Sequence, residues 1–361
     1  MNLPTRKTED WRWADLSGLD ALAASPANDA LPDLSAYWLD LDGPRLVFAD
    51  GRFVAALSDR RGLTITAVGS APGHPLGDIA TAKASTGLWL THTATAPSPG
   101  PIQIVHVASG GASHLSSRIE LGRNAHAEIV ETHVGAGWSN VTATIALGEG
   151  ARLMRTIRVL KDGGAHTDFT LATVADAASY TSAALVLGAD TARIETRLRL
   201  KGAGAFAEAD GVLLARGGQS LDAFTLVDHA AAGGTSRQVW RAVADDRATA
   251  SVAGRVAVAR GSQQTDAEQS VKALLLARTA TANAKPELEI WADDVKCAHG
   301  ASVGELNRDA LFYLQSRGVD PAGARALLTR AFLGDALDRI GDETVRDAVT
   351  ADAVAWLEGG R

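Results

Sequence analysis

Val141-Thr142-Ala143-Thr144-Ile145-Ala146-Leu147-Gly148-Glu149-Gly150-Ala151-Arg152-Leu153-Met154-Arg155-Thr156-Ile157-Arg158-Val159-Leu160 contains two strands and one tight corner. Apolar and polar residues alternate through 141–145 and again through 156–159, the period of a strand whose two faces differ. Gly148-Glu149-Gly150 between them supplies turn residues, and Ala151 restarts the extended chain. The same pattern recurs on both sides. Strands are expected at 102–107, 117–121, 127–131, 194–200 and 253–258, and the corner is echoed at Gly122-Arg123-Asn124-Ala125 and Gly188-Ala189-Asp190-Thr191-Ala192. A weak strand–turn repeat with almost no helical interruption, over roughly 200 residues, points to a β-helix or similar solenoid in which each rung buries its apolar side on the next. A jelly roll or double cupin is the competing all-β architecture. Arg155, Arg158, Arg197 and Arg199 are assigned to the wet faces of their strands.

The flanks differ from this middle. Residues 1–85 are mixed: Thr8 is placed to cap a helix over 9–16, and 45–48 and 52–54 flank Asp50-Gly51 as a hairpin. From 305 to 361 the apolar period changes from 2 to 3.6. Asn307 caps a helix carrying Ala310, Leu311 and Leu314 that ends at Gly318. Asp320-Pro321 opens a second helix with the stripe Ala324, Leu327, Leu328, Ala331 and Phe332. Asp342 opens a third, with Val345, Val349 and Trp356 on one face. The organisation expected is a mixed region over 1–85, a solenoid over 86–304 and a small helical domain over 305–361.

Composition narrows the function. The chain has 361 residues, a net charge of −7 and no basic block, so a nucleic-acid partner is not expected. No apolar run is long enough to span a bilayer, and the N-terminus has no apolar leader, so the expectation is a cytoplasmic protein. One cysteine, Cys297, rules out a disulfide within the chain and a four-cysteine metal site from one copy. There is no Gly-x-x-x-x-Gly-Lys-Ser/Thr loop and no Gly-x-Ser-x-Gly elbow, and Gly202-Ala203-Gly204 does not extend to a dinucleotide fingerprint.

Two groups of residues could carry chemistry. In Asp293-Asp294-Val295-Lys296-Cys297-Ala298-His299-Gly300 the thiol stands two residues from an imidazole, so in extended chain both point the same way and could serve one metal centre. Lys296 beside them is expected to favour the thiolate. One Cys and one His cannot saturate an iron centre, so any such centre would be shared with another chain. The second group is His126, Glu128 and His133, with Glu131 between them, which would suit a cupin-like metal-dependent enzyme; His126 and Glu128 share a strand face, and His133 would lie on the other if the strand ran straight on. His92, His106, His114, His166 and His229 read as scattered surface or satisfied side chains.

The stretch from Lys285 through Trp291-Ala292-Asp293-Asp294-Val295-Lys296-Cys297-Ala298-His299-Gly300-Ala301 to Gly304 resembles the C-terminal hallmark of the SufB/SufD family of iron–sulfur cluster assembly scaffold proteins, on its SufD side. Asp309-Ala310-Leu311-Phe312-Tyr313-Leu314-Gln315-Ser316-Arg317-Gly318 and the opening Leu3-Pro4-Thr5-Arg6-Lys7-Thr8-Glu9-Asp10-Trp11 are similar to that family too. The resemblance implies a mainly β chain with a right-handed parallel β-helix core, an N-terminal helical or mixed region and a C-terminal helical domain. It further implies a non-catalytic scaffold that pairs with a SufB-like paralogue through the β-helix, or with itself when isolated. A SufC-like ATPase would bind the helices carrying Leu311, Phe312, Leu314, Arg317, Leu327, Leu328 and Phe332. His299, with Cys297 beside it, would contribute to a transient cluster shared with the SufB-like chain, and no cofactor would stay on the isolated chain.

Overall fold

The computed structural model describes residues 3–28, 31–66, 73–96 and 99–359. Its body is two parallel sheets whose strands alternate along the chain. In chain order the strands are β1 (Arg45–Ala49), β2 (Arg52–Phe53), β3 (Thr64–Ile65), β4 (Leu88–His92), β5 (Ile102–Val107), β6 (Ala112–Leu121), β7 (His126–Val134), β8 (Trp138–Leu147), β9 (Arg152–Leu160) and β10 (Ala165–Val174). They continue as β11 (Ser179–Leu187), β12 (Thr191–Leu200), β13 (Phe206–Ala215), β14 (Ser220–His229), β15 (Thr235–Ala244), β16 (Thr249–Val258), β17 (Thr265–Leu275), β18 (Thr281–Ile290) and β19 (Val295–Glu305). One sheet runs β19-β17-β15-β13-β11-β9-β7-β5-β1-β2, the other β18-β16-β14-β12-β10-β8-β6-β4-β3. His126, Arg152, Ser179, Phe206 and Thr235 stand in register one above another. The fold is therefore a parallel β-solenoid, as the strand–turn repeat and the family resemblance imply, and the jelly-roll and cupin alternatives fall.

The repeated corner has a physical basis. Asn124, Gly150, Ala177 and Gly204 occupy one edge of the solenoid with φ between 52° and 65°, a left-handed conformation that glycine and asparagine tolerate best. Each corner amide donates to a carbonyl of the next rung: Asn124 to Glu149, Gly150 to Asp176, Ala177 to Ala203 and Gly204 to Ala232, at 2.8–3.2 Å. The next residue is alanine each time (Ala125, Ala151, Ala178, Ala205), and each is fully buried, since a larger side chain would hold the rungs apart. The echo at Gly188 belongs to the opposite edge, between β11 and β12.

Both outer faces are covered. Among the described residues, five helices, α1 (Leu19–Ala24), α2 (Pro75–Lys83), α3 (Arg308–Ser316), α4 (Pro321–Leu337) and α5 (Glu343–Leu357), lie outside the sheets. Leu333, Ala336, Leu337, Val345, Val349, Ala353 and Trp356 bury the outer side of the odd-numbered sheet together with Val105, Val130, Leu185 and Val212. The other sheet is strapped by the N-terminal segment: the Arg193 guanidinium lies 3.9 Å from the Trp11 ring and donates to the Asp10 carbonyl at 2.8 Å. Lys285 bonds Glu9 at 2.5 Å, and His74 stacks on Phe169 at 3.8 Å.

Several expectations need correction. Arg155 and Arg158 are buried, not wet: Arg155 points into the interior, and Arg158 holds Asp352 of α5 at 2.8 Å. Arg197 is only a third exposed, whereas Arg199 is 63% exposed as expected. The helix expected over 9–16 is a single 3-10 turn, Glu9–Trp11, and the Thr8 side chain makes no cap bond. Glu9 and Asp10 bind Lys285 and Arg255 instead, which draws the segment along the sheet. The hairpin at Asp50-Gly51 is present, and β1 and β3 carry the two sheets back ahead of residue 86. On α4 the buried stripe is Ala324, Thr329, Leu333, Ala336 and Leu337, so Leu327 and Ala331 face outward.

Candidate functional site

The two ends of the solenoid differ. At the start, short antiparallel strands β2 and β3 close the sheet edges. At the finish, β18 and β19 are edge strands, each paired on one side only among the described residues. An unpaired strand edge presents free N–H and C=O groups to any chain that can extend the sheet, and proteins commonly blunt such edges with proline or charge. Pro286 lies in β18, consistent with an edge position. The middle of β19, Ala298-His299-Gly300-Ala301-Ser302-Val303-Gly304, has neither proline nor acid nor lysine and is exposed throughout.

Cys297 and His299 are on this strand. They stand in register with Ala267 and Gln269 of β17, which are buried in the interior. They therefore face the open end of the solenoid cavity, two residues apart on one side, as extended chain requires. Cys297 is half-buried and packs with Val256, Val258, Ala267 and Leu288. Burial pushes its thiol pKa up, and the nearby Asp266 carboxylate adds to the rise. The expectation that Lys296 favours the thiolate therefore fails, since Lys296 lies on the opposite side of the strand. His299 is exposed. Behind it, Gln269 donates to Gln238 at 3.3 Å, which leaves Gln269 Oε1 and Gln238 Nε2 buried without partners. This end offers an imidazole and a thiol to a metal centre and cannot enclose one.

The second candidate group does not assemble. His126 is exposed and Glu128 half-buried on the outer side of β7, whereas His133 is fully buried on the inner side. Strand parity separates them, so the cupin-like site is overturned. Burial, with Asp342 nearby, raises the Glu128 carboxyl to about 7. Inside, His133 meets residues that sequence reading missed. His106 is its register partner, with rings stacked 4.3 Å apart, and His106 Nε2 lies 3.3 Å from Glu131 Oε2. His166, from the facing sheet, comes within 4.4 Å of the His133 ring. Arg155 bonds Glu131 at 2.7 Å and Asp168 at 3.0 Å, and it holds the Glu131 carboxyl well below the usual range against the opposing effect of burial. The only signal in the sequence was Glu131-Thr132-His133, whose outer members share a strand face.

The C-terminal helices carry the third set. α3 buries none of its residues; Phe312 is 74% exposed, Leu311 and Leu314 are half-buried, and Arg317 is exposed with its guanidinium 5.3 Å from the Tyr313 ring. Leu328 and Phe332 are half-buried. Leu327 is 49% exposed and borders a groove of about 380 Å³ between α4 and α5, lined also by Arg330, Ala331, Gly334 and Val354. No helix among the described residues is long and apolar enough to cross a membrane.

Residues 104–332 match the family model described as SUF system FeS cluster assembly, SufBD core domain. The chain is 30% identical to the iron–sulfur cluster assembly protein SufD of Escherichia coli (strain K12), covering 99% of this chain and 90% of that protein. It is 28% identical to the iron–sulfur cluster assembly SufBD family protein slr0076 of Synechocystis sp., covering 94% and 84% of the two chains. It is also 32% identical to the chloroplastic protein ABCI7 of Arabidopsis thaliana, over 61% of this chain and 48% of that one. Residues 104–332, most of them parallel solenoid, are a SufBD core. The chain belongs to the SufBD family of the SUF iron–sulfur cluster assembly system.

Proposed function

We propose that this chain is a non-catalytic, cytoplasmic scaffold subunit that builds a nascent iron–sulfur cluster jointly with a SufB-like paralogue. The observation that supports this best is the uncapped last rung, where an unprotected edge strand holds an exposed imidazole at the mouth of the solenoid. A partner strand laid along β19 would satisfy its free backbone groups and bring its own ligands to His299. His299 is the principal ligand in this reading; Cys297 is secondary, because its raised pKa disfavours the thiolate that binds metal. Without the paralogue, the same edge pairs two copies of this chain. Residues 86–304 form the pairing unit, 1–85 the strapped N-terminal unit and 305–361 the unit that binds a SufC-like ATPase. The exposed apolar side chains Phe312 and Leu327, with Leu311, Leu314, Arg317, Leu328 and Phe332 around them, are the ATPase contact. Hydrolysis belongs to that partner, in keeping with the lack of a phosphate loop in this sequence.

The test is anaerobic co-expression with SufB-like and SufC-like chains. A ternary complex is expected, with cluster absorbance lost in His299→Ala while the complex still forms. Phe312→Asp should release the ATPase and leave the paralogue bound. If neither partner co-purifies, the scaffold reading fails; if His299→Ala builds clusters at the wild-type rate, only the ligand role fails.

A further inference from the structure

Five potential metal ligands meet inside the solenoid, several rungs from the open end and remote from Cys297 and His299 in sequence and register. The donor atoms of His106, Glu131 and His133 lie within 4.8 Å of one another, and so do those of His133, His166 and Asp168. All five side chains are more than nine-tenths buried. Both nitrogens of His133 and both of His166 have no hydrogen-bond partner, nor does Nδ1 of His106. A buried polar atom without a partner is costly, and five in one place call for a ligand.

The geometry favours the first trio. Both oxygens of Asp168 are engaged, one by Arg155 at 3.0 Å and the other by Thr170 at 3.0 Å. Arg155 occupies only one oxygen of Glu131, and the other lies 3.3 Å from His106 Nε2 and 3.9 Å from His133 Nε2. Ligands about 2.0–2.2 Å from a tetrahedral ion stand about 3.3–3.6 Å apart, so small side-chain movements close the set. The two imidazoles are nearly parallel, at 4°, so each ring must tilt toward the carboxylate to aim its lone pair at one point. The charges also leave room for a cation. Glu131 and Asp168 face one Arg155, and the other buried cation nearby, Lys161, is turned to the Gly137 carbonyl at 2.8 Å and to Ser139.

We propose that His106, Glu131 and His133 form an interior site for one divalent first-row transition-metal ion. Two imidazoles and a carboxylate without a thiolate suit zinc, ferrous iron or cobalt and disfavour calcium and magnesium. The site is sealed on both sides by strands, so the ion enters as the rungs close and binding is linked to folding. It is independent of the cluster reading, because it uses no residue of the last rung.

The experiment uses the full chain, expressed in zinc-supplemented medium and, separately, refolded with Co²⁺, then passed through chelator and assayed for metal. About one ion per chain is expected in wild type, His126→Ala and His299→Ala, and less than a tenth of that in His106→Gln and in Glu131→Gln. X-ray absorption of the cobalt form should show nitrogen and oxygen neighbours, including imidazole, and no sulfur. Should the interior variants fail to fold, the wild-type stoichiometry and cobalt spectrum decide. Metal-free wild type from both preparations, metal retained in His106→Gln, or metal lost in His299→Ala would each overturn the proposal, and only the last would implicate the end of the solenoid.

Discussion

Arg155 spans three partners inside the solenoid: Glu131, Asp168 and Thr170, the last at 2.6 Å. Removing it strands two carboxylates in a dry interior, so Arg155→Ala is expected to cost about 3–5 kcal/mol by urea unfolding. Arg199→Ala, on an exposed side chain of the same residue type, should stay within about 0.5 kcal/mol. Equal losses would mean that Arg155 is not buried as described. Glu128 gives a second residue-level test. Its carboxyl pKa is raised to about 7 by burial and by Asp342, so the folded chain holds a proton that the unfolded chain releases near 4.5. Its contribution is complete below pH 4.5 and is lost as pH rises through 7. Glu128→Gln should therefore raise Tm at pH 8 more than at pH 5; an equal shift at both would show an ordinary carboxyl.

Among the helices, α3 and α4 have different supports. α4 is capped by Asp320, which accepts from Ala322 and Gly323 at 3.0 Å, and it buries Leu333, Ala336 and Leu337 on the sheet. α3 buries nothing and depends on its cap, where Asn307 accepts from Ala310 at 2.9 Å. Losing an N-cap costs about 1 kcal/mol. In Asn307→Ala, amide exchange over 308–316 should quicken about fivefold while Tm stays at the wild-type value. A lower Tm would mean that α3 is coupled to the solenoid after all. An element so weakly held to its own chain is suited to rearrange on a partner.

At the scale of the whole molecule, buried neutral histidines limit stability in acid. Burial depresses His229, and burial with Lys83 nearby depresses His114, each to about 4. Between pH 6.5 and 4 the unfolded chain takes up protons that the folded chain refuses, so stability present above 6.5 is lost as pH falls toward 4. For His229 alone the loss is about 3 kcal/mol over the full window. Tm should fall steeply below pH 6, and less steeply in His229→Asn; an unchanged slope would mean that His229 is accessible to water.

Alternation and corner residues by themselves determine much of the architecture: the strands around Gly148-Glu149-Gly150-Ala151, the Asp50-Gly51 hairpin and the caps at Asn307, Asp320 and Asp342 all lie where local chemistry places them. Cys297 and His299 share a side for the same reason, since spacing by two fixes orientation along a strand. Which side of each strand faces inward was settled only by the tertiary structure. Helices cover much of one sheet and the N-terminal strap part of the other, so over the covered rungs both strand faces are buried and alternation no longer separates core from surface. That is why Arg158 reads as wet, whereas Arg155, in phase with Leu153 and Ile157, is held inward by Glu131 and Asp168. The meeting of His106, His133 and His166 was equally invisible, because it depends on rung register and on two sheets facing each other, and these are long-range packing outcomes that no local pattern encodes.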